Sequence, residues 1–434
     1  MTRKTTPNTK SCADSGSHGS GNHDTGGSND TGGSNGRGGS HGRGGGRGNL
    51  TVVGGGFAGL VAAISAAEAG SRVTVYEAHR TLGGRARTAD GPYRTNEGPH
   101  ALYNGGPHWT WLAERDLLGP LARVPLTEAV RTHVHCGGTL GRSQARHLLP
   151  LLRLARRPAA QAPVDQDFHS WAAPLVGEEA ARRVATFLAV ALFHHDVGSL
   201  SAAFVQERLV RVAKVPPEAQ YPRGGWQSVI DRMAAHARRL GVRIETDARV
   251  DALPAAPDGP VVVATSLPAA RALLGDPSLT WESGRTVLVD LALTTRRGDP
   301  WILSDLDAPA WLERFSGPDP TLAPAGTSLV QGQLPIGPSA SKSQGVRRAE
   351  HLLDLGFRDW RERVTWRREA LATGRTGAVD LPGTTWRDRP PIDRGNDVYL
   401  VGDQVAAPGV LSEVSFTSAL EAVSLTLRPR SRTL

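Results

Sequence analysis

The sequence predicts an α/β protein of one large or two intertwined domains, and three observations carry the fold class. An apolar run, a glycine cluster and a helical pattern follow one another over residues 50–69. A second apolar run then ends at an acidic residue, Glu77. Near the other end of the chain, a third apolar run leads into Gly402-Asp403 and a further helical pattern.

Residues 1–48 stand apart, being Gly, Ser, Asn, Asp, Thr and Arg with almost nothing apolar. Burial there cannot offset the entropy of ordering, so a disordered tail is expected. Arg37, Arg43 and Arg47 each precede glycine, which raises a weak RNA-binding tail. No aromatic residue interleaves them, so a flexible extension, or a start codon assigned too early, is favoured and no nucleic-acid partner is expected.

Elements follow in order from Asn49. Residues 50–53 read as a strand, and 57–69 as a helix with Leu60, Ile64 and Ala67 on one face. Gly70 closes that helix and 72–76 form a second strand. Residues 101–220 mix helical and strand patterns, with a hairpin over 129–140 turning at Gly137-Gly138. Gly224-Gly225-Trp226 opens a helix whose one face carries Trp226, Val229, Ile230, Met233, Ala237 and Leu240, closed by Gly241. Residues 242–244 and 249–253 read as strands, and 261–264 as a buried strand before a helix begun at Pro268. A second mixed region spans 280–375. Residues 398–401 form the last strand, and 412–427 the last helix, ending before Pro429.

The formal charge is +8, and Lys4, Lys10, Lys214 and Lys342 are the only lysines. The tail supplies six basic and three acidic residues, which leaves about +5 spread over the rest. That is too diffuse for a nucleic-acid footprint. Cys12 and Cys136 have no metal spacing and would staple nothing as a pair, which fits a reducing compartment. No apolar core follows the basic N-terminal residues, so a cytoplasmic protein is expected. The uncharged run 50–67 is long enough to raise a membrane span, but its four glycines have a better use.

That use is Gly54-Gly55-Gly56-Phe57-Ala58-Gly59. Gly54 permits the tight turn, Gly56 lets a pyrophosphate approach the backbone, and Gly59 allows close helix–strand packing. Phe57 and Ala58 then begin the helix, whose N-terminus favours negative charge. Glu77 ends the next strand, where it can hydrogen-bond a ribose hydroxyl and disfavours a 2′-phosphate. The four features together predict an adenine dinucleotide site.

Leu82-Gly83-Gly84-Arg85-Ala86-Arg87-Thr88 follows. With this segment the sequence resembles the superfamily of flavin-containing amine oxidases, phytoene desaturases and protoporphyrinogen oxidases. The resemblance extends over most of the chain beyond the tail and is nearest to bacterial phytoene desaturase-like FAD-dependent oxidoreductases. It implies that Gly83, Gly84 and Arg85 pass along FAD, with Arg85 offering a fork of donors to phosphate or flavin oxygens. Tyr221-Pro222-Arg223-Gly224-Gly225-Trp226 is similar to the segment that returns to the FAD domain. The strand ending near Val250 resembles the one whose backbone meets adenine. Gly402 and Asp403 resemble the motif that meets the ribityl and pyrophosphate region. The last helix, with Val414 in its first turn, resembles the one whose N-terminus faces the flavin pyrimidine.

The implied fold is an FAD-binding Rossmann-like domain, from 49–100, 221–275 and 376–434, interleaved with an α+β substrate domain from 101–220 and 276–375. No cysteine lies near the C-terminus, so FAD is expected without a covalent link. Amine oxidases of the superfamily place a lysine near flavin N5. The only lysine in the matching region, Lys342, reads as part of a loop, which favours desaturation or dehydrogenation of an apolar small molecule. Oxygen or another acceptor would reoxidise the flavin. A flavin amine or amino-acid oxidase, and a flavin-fold binding protein without turnover, are the alternatives.

In Asn96-Glu97-Gly98-Pro99-His100, His100 is the candidate acid or base, with Glu97 behind it, unless Gly98-Pro99 is merely a turn. His133 and His135 share a strand face, but no third and fourth ligands are evident, so they are expected to be exposed or cleft-lining and no metal is expected. His194-His195 reads as a helix end. Residues 142–157 are basic and leucine-rich with Pro150 interrupting them, and give either a packed helix or a peripheral membrane contact.

Overall fold

Short runs rich in valine build the central sheet, as expected of strands buried on both faces. The computed structural model describes residues 47–98, 101–143, 145–253, 258–374 and 377–428. The tail before Arg47 and His100 lie outside the described residues. The chain starts with β1 (Arg47–Val53), passes through α1 (Phe57–Glu68) and returns as β2 (Ser71–Tyr76). Next come β3 (Leu102–Tyr103), α2 (Pro107–Glu114), β4 (Leu121–Ala122), α3 (Leu126–Ala129), and the hairpin β5 (Thr132–Cys136) and β6 (Thr139–Arg142). Four helices follow: α4 (Ala145–Ala155), α5 (Phe168–Val176), α6 (Glu178–Leu192) and α7 (Ala202–Val212). Then β7 (Ala219–Pro222) leads to α8 (Gln227–Arg239), β8 (Arg243–Glu245), β9 (Val261–Val263) and α9 (Leu267–Leu274). The strands β10 (Arg285–Thr294), β11 (Ile302–Asp305), β12 (Ala310–Glu313) and β13 (Thr327–Pro335) precede α10 (Lys342–Gly356), α11 (Trp360–Arg363) and β14 (Val364–Thr373). Finally come β15 (Val398–Leu400) and α12 (Ser412–Thr426).

The first sheet is parallel, in the order β15–β9–β1–β2–β8. Val53 pairs with Tyr76 on one side and Val263 on the other, so these strands finish at one edge. That edge is where ligands bind in parallel α/β sheets. α1 is apolar almost all round and buried from Phe57 to Ile64, packed against β1, α8 and α12. A helix of that kind belongs inside a protein core or a membrane. Here it is core, and no helix among the described residues is long and apolar enough to cross a membrane.

The second sheet runs β14–β10–β13–β12–β11–β5–β6, antiparallel except where β11 meets β5. Helices α4 to α7 pack around Leu154, Phe168, Leu188, Leu200 and Leu209. This is the mixed α/β architecture the sequence implies, with a Rossmann-like sheet beside an α+β part.

Several expectations are corrected. β1 begins at Arg47, inside the stretch assigned to the tail, because Arg47 pairs with Ser71. Residues 249–253 form no strand: the Ala248 N–H is spent on the Glu77 carbonyl at 2.9 Å, and Arg249 pairs with Asp251 in solvent. Leu240 caps α8 and is 38% exposed, off its apolar face. Pro150 does not interrupt α4, which continues through it.

His135 is buried rather than exposed or cleft-lining, because β11 supplies its partner. Its Nδ1 lies 2.9 Å from Asp305 Oδ1 and 3.7 Å from Asp307. Gly137 and Gly138 make the hairpin turn with φ of 61° and 69°, and both donate N–H to Asp307 at 2.8 and 2.9 Å. His135, Asp305 and Asp307 are close enough to share an ion, but the carboxylates already accept backbone N–H groups and staple the hairpin to β11.

Candidate cofactor and substrate site

The glycine turn after β1 is shaped by close backbone contacts. Gly54 has φ of +108° and donates to the Tyr76 carbonyl at 2.7 Å. A Cβ there would meet the Ala264 carbonyl oxygen at 2.6 Å, and one at Gly59 would lie 1.9 Å from the Gly54 oxygen. Gly56 differs, since its nearest neighbour would be Gly83 O at 3.8 Å. Its open side faces a cavity of about 900 Å³ that extends from this edge of the parallel sheet.

The second glycine segment is tied to the first. Gly83 donates to the Gly55 carbonyl at 2.9 Å, and Gly83 and Gly84 have φ of +115° and +54°. Gly55 donates in turn to Glu77 Oε2 at 2.8 Å. The other Glu77 oxygen accepts the His79 N–H at 3.0 Å, so the buried carboxylate is fixed at both ends. Thr88 reaches the third segment: it donates to Asn96 at 2.6 Å and accepts the Gln227 N–H at 3.1 Å. A Cβ at Gly225 would press on Thr88 Oγ1 at 2.4 Å, which explains a glycine there.

Arg85 and Asp403 form an ion pair on the cavity wall. Burial disfavours the charge on Arg85, but Asp403 more than offsets it and holds the guanidinium above its usual range. Gly402 before it donates to Ser418 Oγ at 3.1 Å, joining the motif to α12. Neither N-cap residue, Gly56 of α1 or Leu411 of α12, makes a side-chain cap hydrogen bond among the described residues. Leu411, which precedes α12, has φ of +55°, and Leu411, Ser412, Val414 and Ser415 line the cavity.

Thirteen residues were expected at the cofactor, and twelve line this one cavity: Gly54, Gly56, Phe57, Ala58, Glu77, Gly83, Gly84, Arg85, Val250, Gly402, Asp403 and Val414. Gly59 lies behind the wall, against Gly54 and Ala264. Glu97 also lines it, accepting from Arg87 at 3.0 Å and lying 3.7 Å from Arg368.

Lys342 is not in a loop. It opens α10 after Ser341, which with Gln344 makes a complete capping box. Its Nζ donates to the Glu369 carbonyl at 3.2 Å and is not on the cavity wall.

The sequence did not single out Glu313, Arg208 or Arg389, all on the cavity wall and all nearly fully buried. Glu313 Oε2 accepts from Trp311 Nε1 at 3.1 Å, while Oε1 has no hydrogen-bond partner among the described residues. Burial pushes the Glu313 carboxyl up to about 7, against the opposing pull of Trp311 and Tyr221. Burial likewise raises the Tyr103 hydroxyl to about 12. The only signal for Glu313 is an acid beside the apolar Ala310-Trp311-Leu312, which no motif marks.

Comparison with known proteins agrees with this geometry. A family model described as an NAD(P)-binding Rossmann-like domain matches residues 52–116. No curated protein sequence matches the chain. Among solved structures, an oxidoreductase from Methanosarcina mazei is similar at 18% identity and TM-score 0.66, covering 87% of this chain and 100% of its own. Cyclohexylamine oxidase from Brevibacterium oxydans is similar at 18% identity and TM-score 0.65, covering 88% and 98%. Putrescine oxidase is similar at 16% identity and TM-score 0.64, covering 88% and 99%. Over most of its length, the protein shares the fold of these solved oxidoreductase structures.

Proposed function

We propose that the chain is an FAD-dependent oxidoreductase that removes hydride from a substrate carbon, with desaturation or dehydrogenation of an apolar small molecule favoured. The observation that carries this reading is the convergence of motif residues from distant segments on one cavity. Bound FAD would supply hydride acceptance. The chain supplies the rest. Gly54, Gly56, Phe57 and Ala58 would present an uncapped helix end to the pyrophosphate, and Glu77 would take the ribose hydroxyls. Gly83, Gly84, Arg85, Gly402 and Asp403 would hold the middle of the cofactor, Val250 the adenine end, and Val414 the pyrimidine side. Phe187, Val190, Leu288 and Phe315 would orient an apolar substrate and exclude water. Glu97, or His100, would hold or move a proton.

The division into an FAD domain of 49–100, 221–275 and 376–434 and a substrate domain of 101–220 and 276–375 is part of this proposal. So is non-covalent binding: Cys136 lies in the β5–β6 hairpin, away from the cavity wall. Leu148 and Leu149 on α4, 44% and 57% exposed, would give peripheral membrane contact to an enzyme whose substrate is lipophilic.

The test is the visible spectrum of purified protein, followed anaerobically with apolar polyenes, porphyrinogens and amines. Flavin absorbance that acid releases, and that a polyene or porphyrinogen bleaches, is expected. Absence of flavin sinks the proposal. Bleaching by amines alone would move it to a flavin amine oxidase, a second reading favoured by the Glu313 carboxyl oxygen that has no partner among the described residues.

A further inference from the structure

Arg208 comes from α7, outside every nucleotide motif, yet it lines the cavity and is 4% exposed. Its guanidinium lies over the Phe204 ring, 3.5 Å from the centroid. Nη1 donates to the Phe204 carbonyl at 2.9 Å and to Glu207 at 3.1 Å. Glu207 is half in solvent, so water screens that pairing. The Nε–Nη2 edge donates to nothing among the described residues.

Arg389 acts on Arg208 from the same cavity wall and is 3% exposed. It shows what such an edge takes: its Nε and Nη2 grip the two oxygens of Asp380 at 2.9 and 2.7 Å. That fork uses both Asp380 oxygens, which leaves Arg208 without an equivalent partner. Burial lowers the Arg208 guanidinium to about 10, with the charges of Glu207 and Asp380 raising it and that of Arg389 lowering it, so it stays charged at neutral pH. A buried cation with an unused donor edge is costly unless an anion completes it. A carboxylate fits the planar fork.

We propose that Arg208, backed by Arg389, is a subsite for a carboxylate group of the substrate. This rests on the reading of the cavity as a substrate site, and adds an anionic end to an otherwise apolar molecule.

The test uses the purified full chain as isolated, with benzoate and octanoate as probes and benzamide and octanamide as neutral controls. Calorimetry reads binding whether or not flavin is present, and the visible spectrum reports flavin separately. The carboxylates are expected to bind and the amides not. Arg208→Gln is expected to weaken carboxylate binding roughly tenfold or more while flavin content and Tm stay unchanged. Arg208→Lys keeps the charge but loses the fork, and is expected to bind less well than wild type. It covers the case in which the glutamine variant fails to fold. Equal binding of acids and amides, no binding, or equal affinity in wild type and both variants overturns the subsite. Loss of flavin from a folded variant also overturns it, by assigning Arg208 to the cofactor. Carboxylate binding by protein that never holds flavin would sink the oxidoreductase reading and leave the subsite standing.

Discussion

Arg85 and Asp403 are joined in an ion pair on the cavity wall, although they come from opposite ends of the described chain. The pair links the turn after β2 to the start of the α12 segment. Both groups are partly exposed to the cavity, so they can also meet a bound phosphate or ribityl chain. Arg85→Ala would leave Asp403 without its cation beside an anionic cofactor. Charged hydrogen bonds of this kind are worth about 1.5–3 kcal/mol, so FAD should bind roughly ten- to a hundredfold more weakly. The ratio of flavin to protein absorbance after dialysis reads this directly, and full retention of flavin would refute the assignment.

Gly56 and Gly59 should separate ligand effects from packing effects. Gly59→Ala forces a Cβ against the Gly54 carbonyl at 1.9 Å. Overpacking of that sort costs about 1–3 kcal/mol, which should appear as a lower Tm of the flavin-free protein. Gly56→Ala meets nothing closer than 3.8 Å and points its methyl at the cavity side. Its flavin-free Tm should hold while its affinity for FAD falls. The opposite pattern would place the cofactor elsewhere.

The parallel sheet and its glycine turns were legible because their signals are local. A valine-rich strand, a glycine at positive φ and a buried alanine-rich helix lie next to one another in sequence. Residues 249–253 failed for the converse reason: the N–H groups of Asp247 and Ala248 just before them are claimed by His79 and Glu77, beyond the reach of any local pattern. Lys342 was readable in principle: Ser341 and Gln344 have capping-box spacing, and the expectation of a loop overlooked it. His135 and Arg208 could not be read so. The partner of His135 is 170 residues away, and the importance of Arg208 lies in a donor edge that only the folded cavity isolates.

Lys342 gives a sharp contrast with an amine-oxidase arrangement. Its side chain is 43% exposed and its ammonium is bound to Glu369, away from the cavity wall. Lys342→Met should cost no more than about 1 kcal/mol in stability, because exposed pairs contribute little. Flavin reoxidation by oxygen, followed by stopped flow, should keep its wild-type rate. A large drop in that rate would mean that Lys342 reaches the flavin after all.

Glu313 makes stability depend on pH in an unusual direction. Its carboxyl titrates near the ordinary 4.5 in the unfolded chain and at about 7 when folded. Between these values the unfolded chain has lost a proton that the folded protein keeps. The folded state therefore binds more protons, and its stability falls as pH rises through the window. Below 4.5 both states are protonated and no penalty exists; above about 7 the full penalty, about 3 kcal/mol, is present. Glu313→Gln has the same shape and no proton to lose. The stability of the variant relative to wild type should therefore rise from pH 4.5 to pH 7.5 by about that amount, measured by urea denaturation of flavin-free protein. Trp311 and Tyr221, the two polar groups that act on the carboxyl, stay neutral across the window and add no slope of their own. A relative stability that does not change with pH would mean that Glu313 is solvated, and would remove the case for a buried acid in the cavity.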